Sequence, residues 1–168
     1  MSFSARVQAT SRATDLQFEE GDKISVFASD TGYIEENNFA QNIRYTYDND
    51  LFTTNFYLTY PSATQDLTFF AVYPYGNYTT PEFEFAVKKD QRSYDDYTSS
   101  DLMTASAVGN NAKVVDLLFS HRLAKLVINT SSEGMPAGEQ KLVIKNAKYI
   151  AAADLSANSF NNVEGKYA

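Results

Sequence analysis

Short apolar runs with a period of two recur along this chain, and they decide what it can fold into. In the two clearest runs apolar residues fall at every second position. They are Phe3, Ala5, Val7 and Ala9 in the first run and Phe83, Phe85 and Val87 in the second, and the residues between them are polar except Ala86. Successive side chains of a strand point to opposite faces, so this period predicts strands with one buried face. No window keeps an apolar stripe at helical spacing over the length that a helix needs. The chain is therefore expected to be all-β.

Other segments support this prediction through their β-branched and aromatic residues. Such runs occupy 23–28, 37–46, 51–60, 67–73, 114–119, 123–128 and 141–145, and turn residues such as Asp48-Asn49-Asp50 follow several of them. Polar residues dominate 90–109, which is predicted to be a long loop with room for a helical turn, and beyond Tyr149 the pattern weakens. A set of about seven to nine short, mostly antiparallel strands predicts a β-sandwich. The length of 168 residues suits a single domain over 1–168.

Composition excludes several classes of protein. The net charge is −7 and no basic cluster is larger than the pairs Lys88-Lys89 and His121-Arg122, so nucleic acid is not an expected partner. Cysteine is absent, which removes disulfides, thiolate metal sites, thiol nucleophiles and a lipid-acceptor cysteine together. The segment after Met1 contains no apolar run long enough for a signal peptide or a membrane span.

The sequence offers little for catalysis. The adjacent acids, which are Glu19-Glu20, Glu35-Glu36 and Asp95-Asp96, are interpreted as solvated loop charge. The oxygen-rich Asp48-Asn49-Asp50 lacks the continuation of a calcium loop and is interpreted as a turn. His121 is the single histidine and is expected to be structural, and no nucleophile elbow, phosphate loop or dinucleotide fingerprint occurs. We therefore predict no enzyme, no catalytic or metal residues and no cofactor.

The many tyrosines leave a second class of function open. An exposed aromatic ring can stack on the apolar face of a sugar, and the chain contains 12 Tyr and no Trp. Burial of all of them is not expected. A carbohydrate- or host-ligand-binding module is therefore kept as the alternative to a structural protein.

Four stretches together resemble one family. They are FEEGDKISVFA at 18–28, FFAVYPY at 69–75, SDLMTA at 100–105 and LFSHRLAKL at 118–126. In this order and at these spacings the chain resembles the N-terminal domain of the fimbrillin-like proteins of the Bacteroidetes, which form type V pili and related Mfa-like surface adhesins. The resemblance covers most of the chain, and the segment from His121 to Leu126 is its most distinctive part.

The resemblance implies a transthyretin-like β-sandwich and export, as a lipoprotein precursor, to the cell surface, the outer membrane and an extracellular pilus. It also implies that a second β-sandwich follows this one in full-length members. The implied partners are other pilus or adhesin subunits, joined by exchange of a strand. Contact with a membrane is expected only through a lipid anchor, which this chain lacks.

Strand exchange has a physical basis in the first apolar run. If Phe3, Ala5, Val7 and Ala9 form a removable edge strand, its loss exposes an apolar groove and unpaired backbone groups for a partner strand. The resemblance suggests proteolytic maturation after an arginine in this region. Arg6 and Arg12 are the candidates, with Arg12 in the more polar stretch. We expect a non-catalytic adhesion or pilus subunit.

Overall fold

The computed structural model describes residues 1–8, 17–33, 38–111, 113–129, 131, 133–134, 138, 141, 143–145, 147–155 and 157–163. Within these residues the chain forms ten strands and one short helix. They are β1 (Phe3–Val7), β2 (Lys23–Ser29), β3 (Ala40–Asp48), β4 (Leu51–Thr53), β5 (Leu67–Tyr73), β6 (Glu82–Ala86), α1 (Tyr94–Thr98), β7 (Met103–Gly109), β8 (Val115–His121), β9 (Ile150–Asp154) and β10 (Ser159–Val163). The prediction of an all-β fold is confirmed.

Seven strands close a barrel in the spatial order β1-β4-β3-β2-β5-β7-β8. Neighbouring strands are antiparallel except at the closure, where β1 runs parallel to β8. Asn49 and Asp50 both have positive φ between β3 and β4, so the predicted turn at 48–50 is a tight hairpin. A β-bulge interrupts the pairing of β2 with β3, and Asn42 at the bulge also has positive φ.

A smaller sheet of order β10-β9-β6 packs against the outside of the barrel. The two layers share an apolar cluster of buried residues, which comprises Phe27, Val72, Tyr78, Phe85, Leu102 and Leu155. Strand β2 accordingly has Ile24, Val26 and Ala28 inside the barrel and Phe27 in the outer cluster. Both faces of β2 are covered, which explains why its sequence is almost continuously apolar.

The barrel interior holds most of the aromatic core. The largest side chains with no exposed surface there are those of Phe3, Tyr45, Phe52, Phe69 and Phe119. Phe3 meets Tyr45 and Phe69 edge to face. The buried Phe18 meets Phe52 and Phe119 in the same way, an arrangement that contributes beyond the burial of area. The chain holds together through this packing, since it contains no cysteine.

The structure differs from the predicted strands in several places. Residues 123–128, and those described within 141–145, are not in strands, so both predictions are wrong there. Only Leu51–Thr53 of the predicted 51–60 run is a strand, and beyond it Leu58 and Tyr60 pack against the barrel core. The predicted loop at 90–109 contains α1 but also the whole of β7. With β9 and β10, ten strands replace the expected seven to nine.

Candidate functional site

Strand β1 completes the barrel, and its two neighbours hold it unequally. Five consecutive residues pair with β8, from Phe3 opposite Val115 to Val7 opposite Phe119. On the other side a single pair, Phe3 with Phe52, joins β1 to β4. Beyond Phe3, β1 is therefore anchored mainly through β8.

The inner face of β1 carries the apolar residues predicted from the sequence. Phe3 has no exposed surface, and its ring centroid lies 4.9 Å from that of Tyr45 and 5.0 Å from that of Phe69. Val7 is also buried, and Ala5 lies between them, partly buried against the same core. The structure thus brings Phe3, Ala5 and Val7 together on one face, whereas Ala9 lies outside the described residues.

The outer face of β1 is tied to β8 by polar contacts. The Arg6 guanidinium forms an ion pair with Asp116, and Ser4 Oγ donates to Asp116 Oδ1 at 3.1 Å. The hydrogen bond from Arg6 is the largest influence on Asp116 and lowers the pKa of that carboxyl. Because Arg6 is exposed, this pair contributes little to stability.

The C-terminal end of β1 continues the polar contacts with β8. Gln8 N donates to Phe119 O at 2.7 Å, and Ser120 Oγ donates to the side-chain oxygen of Gln8 at 2.8 Å. Of the two arginines predicted as processing sites, Arg6 therefore lies inside a paired strand. Arg12 lies outside the described residues.

Arg122, in the distinctive segment from His121 to Leu126, links the barrel to the smaller sheet. Arg122 Nε donates to Thr104 Oγ1 at 2.6 Å, and an Arg122 terminal nitrogen donates to Asn158 Oδ1 at 2.9 Å. The guanidinium carbon also lies 4.4 Å from the ring centroid of Phe160, which is in β10. Burial lowers the pKa of Arg122. This arginine thus contacts β7 of the barrel and β10 of the outer sheet at once.

His121 has the environment of a structural histidine. Its Nδ1 shares a hydrogen bond with Asp101 Oδ1 at 2.8 Å. Its Nε2 is buried and has no hydrogen-bond partner among the described residues. A general base needs its free nitrogen within reach of a substrate, and here that nitrogen faces the protein interior.

The tyrosines divide between core and surface. Tyr45 and Tyr73 are buried, and burial raises the pKa of both phenols. By contrast, Tyr57 is 89% exposed and follows Phe56, which is 56% exposed. Tyr33, in the connection from β2 to β3, is 66% exposed. Phe56 and Tyr57 thus form an adjacent pair of exposed aromatic rings after β4.

The other features with possible chemistry are modest. A cleft of about 40 Å³ is lined by residues that include Phe18, Asp22, Tyr73 and Tyr97, and it is far below the roughly 300 Å³ of a small-molecule site. Burial raises the pKa of Asp22 there, and Tyr73 donates to its carboxylate at 3.2 Å. Among the described residues no group of three or more His, Asp or Glu side chains is placed to hold a metal ion. The same residues contain no helix long and apolar enough to cross a membrane.

Three solved structures of Bacteroides proteins have a similar fold. A protein from Bacteroides uniformis, provisionally described as a cell adhesion protein, superposes with a TM-score of 0.58 at 19% identity, over 98% of this chain and 68% of that one. A protein from Bacteroides ovatus with the same description gives 0.54 at 18% identity, over 71% and 51%. A fimbrial protein from Bacteroides ovatus gives 0.52 at 19% identity, over 72% and 27%.

At these identities the likeness concerns the fold, and the matched part is about half or less of either Bacteroides ovatus chain. No curated protein matches the sequence significantly. The model of the fimbrillin-like family matches residues 11–168, which is nearly the whole chain. The resemblance found in the sequence is thereby confirmed: this chain belongs to the fimbrillin-like family.

Proposed function

We propose that this chain is a non-catalytic structural subunit of a cell-surface pilus or adhesin, and that it assembles through exchange of β1. The observation that carries the proposal is the position of β1. It closes the barrel, buries Phe3 and Val7, and yet is joined to β4 by one residue pair. Membership of the fimbrillin-like family supports the assignment to a pilus or adhesin.

Departure of β1 would leave a groove suited to another strand. The groove floor would include Tyr45, Phe69 and Phe119, which are now without exposed surface. The edges of β8 and β4 would then offer free backbone donors and acceptors. A partner strand would satisfy them and bury the apolar floor again, which is strand addition at an open sheet.

Proteolysis is proposed to control this exchange, with Arg12 as the favoured site. Cleavage after Arg6 would cut inside a strand whose residues 3–7 all pair with β8, and proteases act on exposed, unpaired segments. Cleavage after Arg12 would leave β1 intact as a peptide held only by non-covalent contacts. The released strand can then be replaced.

The remaining features of the proposal are those that the resemblance to the fimbrillin-like family implies. We propose an exported protein at the cell surface, linked to the outer membrane only through a lipid anchor, with a second domain after this one. The barrel and outer sheet are proposed to form one domain, since they share an apolar cluster. A transthyretin-like arrangement is proposed on the family resemblance alone.

The test is digestion with an arginine-specific protease, followed by mass spectrometry and size-exclusion chromatography. We expect a cut after Arg12 and, with a synthetic peptide of residues 1–8 labelled with a fluorophore, uptake of the peptide by the cut protein only. Arg12→Gln should block both events, whereas Arg6→Gln should leave both in place. A cut protein that neither forms oligomers nor takes up the peptide would contradict exchange of β1.

A second function is favoured by the adjacent exposed aromatic rings of Phe56 and Tyr57. Tyr57 is 89% exposed, and an exposed aromatic ring can stack on the apolar face of a sugar. Binding of a glycan or host protein there would make the chain an adhesive module. Glycan-array screening of the wild type and of Tyr57→Ala, with Tyr75→Ala as the matched control, tests this. Binding unchanged by Tyr57→Ala rejects it.

A further inference from the structure

The hydroxyl of Tyr45 is a buried polar group that forms no hydrogen bond within the described part of the chain. The side chain has no exposed surface, and its oxygen has no partner. Two other buried atoms also lack a partner there, Asn42 Oδ1 and His121 Nε2, but each of these side chains forms a hydrogen bond through its other polar atom. Of the three side chains, that of Tyr45 is therefore the one without any hydrogen bond.

The other buried tyrosines show that this fold can satisfy a phenol. Tyr73 Oη donates to Asp22 Oδ1 at 3.2 Å, and Tyr78 Oη donates to Pro74 O at 3.0 Å. A buried hydroxyl without a partner has lost its bound water and gained nothing in return, and native proteins contain few such groups. The tyrosine with the least exposed surface is thus the one whose hydroxyl is unsatisfied.

The position of Tyr45 connects this hydroxyl to β1. Tyr45 lies in β3, and its ring meets that of Phe3 edge to face with the two centroids 4.9 Å apart. Phe3, Ala5 and Val7 form the inner face of β1, and none of them has a polar side-chain atom. The strand that closes the barrel therefore packs against Tyr45 without offering a side-chain partner to its hydroxyl.

Exchange of β1 would change the surroundings of this hydroxyl. In the open groove of the proposed mechanism, water can reach Tyr45 and hydrogen-bond to its oxygen. Seating β1 removes that water, so part of the free energy gained from burying Phe3 is lost. A strand with a hydroxyl, an imidazole or an amide on its inner face could bond to the oxygen and would avoid the loss. Buried polar groups select ligands in this way, because a ligand that leaves them unpaired binds more weakly.

We propose that the Tyr45 hydroxyl is a specificity determinant of the groove, which weakens the retention of β1 and favours a replacing strand with a hydrogen-bonding side chain on its inner face. The inference rests on the proposed exchange of β1 and adds the chemistry of the partner. That partner is a strand whose inner face is apolar except at one position close to Tyr45. Strand β1 then closes the barrel only until a better matched strand displaces it.

Urea unfolding of the intact protein tests the effect of the hydroxyl on the closed barrel. Tyr45→Phe keeps the ring and removes the oxygen, so it should lower the equilibrium constant for unfolding by at least about fivefold. Tyr73→Phe is the matched control, because it removes a hydroxyl that has a partner, and it should raise that constant. An unchanged or larger unfolding constant for Tyr45→Phe would show that the hydroxyl does not disfavour the closed barrel, and it would overturn the proposal.

Peptide binding tests the retention of β1. The protein is cut after Arg12 and freed of its own strand by dialysis in mild urea, and the labelled peptide of residues 1–8 is then titrated by fluorescence anisotropy. The peptide should bind to cut Tyr45→Phe at least about fivefold more tightly than to the cut wild type. Cut Tyr73→Phe should match the wild type within about twofold.

Three further peptides test the selection of a polar strand. Each places one polar group on the inner face of β1, by Phe3→His, Ala5→Ser or Val7→Thr. The readout is the dissociation constant of the altered peptide divided by that of the native peptide. For at least one altered peptide this ratio should be at least about fivefold lower on the wild type than on Tyr45→Phe.

The proposal and the function on which it rests fail in different ways. Equal binding of the native peptide to the cut wild type and to cut Tyr45→Phe would overturn the effect of the hydroxyl on β1. Three ratios that Tyr45→Phe leaves unchanged would overturn the selection of a polar strand. Both of these results keep exchange of β1, since the native peptide is taken up. No uptake by either protein would overturn exchange itself, and with it the role of Tyr45 in the groove.

Discussion

Replacing Phe3 by alanine is the sharpest test of how β1 is held. The side chain has no exposed surface and its ring meets those of Tyr45 and Phe69 edge to face at about 5 Å. Removing a buried phenylalanine costs roughly 3–5 kcal/mol, which includes the cavity that remains. Total stabilities of roughly 5–15 kcal/mol make this a large fraction of the whole.

The assay is urea unfolding followed by far-ultraviolet circular dichroism and tyrosine fluorescence. Phe3→Ala should lower the midpoint and leave the slope unchanged, which identifies a loss of native stability. Ser4→Ala is the matched control on the outer face of β1, with an expected change within about 0.5 kcal/mol. A loss below about 1 kcal/mol for Phe3→Ala would refute the reasoning, because β1 would then contribute little to the barrel.

The same substitution bears on exchange. If β1 is cut free, the lost packing of Phe3 weakens retention of the peptide. A loss of about 3 kcal/mol corresponds to more than hundredfold in the dissociation constant. A labelled peptide with Phe3→Ala should therefore fail to compete with the native peptide for the cut protein.

Three further results are expected. Arg122→Met should cost about 1–3 kcal/mol through its lost hydrogen bonds and the lost contact with Phe160, and hydrogen exchange should speed up in β10 before the barrel strands. Gly109→Ala should destabilise by about 1–3 kcal/mol, since a Cβ there would overlap Cγ2 of Val115, and thermal unfolding measures this. Burial raises the pKa of Tyr78 to about 12. Above pH 10 the phenol therefore keeps its proton in the folded state and loses it in the unfolded state. The free energy of unfolding should fall as the pH rises from 10 to 12. In Tyr78→Phe that fall should be smaller, as urea midpoints at several pH values will show.

The local order of apolar and polar residues was sufficient to predict strands of two kinds. One kind is covered on both faces, and in the other apolar and polar residues alternate. Residues 67–73 were predicted as one strand and form β5 with the same bounds, because a continuous apolar run fits a strand between two packed layers. The inner face of β1 was likewise predicted, since Phe3, Ala5 and Val7 alternate with polar residues. Family membership was also predictable from four short stretches.

The local order of residues did not predict strands whose formation depends on the residues of the paired strand. In β9 Ala151 and Ala153 are poor strand formers, but they lie opposite Phe85 and Phe83, where a small residue leaves room for a ring. Conversely, 123–128 has strong β-forming residues and no strand pairing in the described chain. The parallel contact of β1 with β8 joins residues far apart in sequence, so no local rule could predict it.

That parallel contact has a consequence for the order of folding. Ser4 and Asp116 are separated by 112 positions, and a pairing of such long range closes slowly because the intervening chain must first be ordered. The hairpin of β3 with β4 and the adjacent pairing of β7 with β8 form within short stretches of chain. Strand β1 is thus expected to pair with β8 late in folding, and until then the edge of β8 beside it is unpaired.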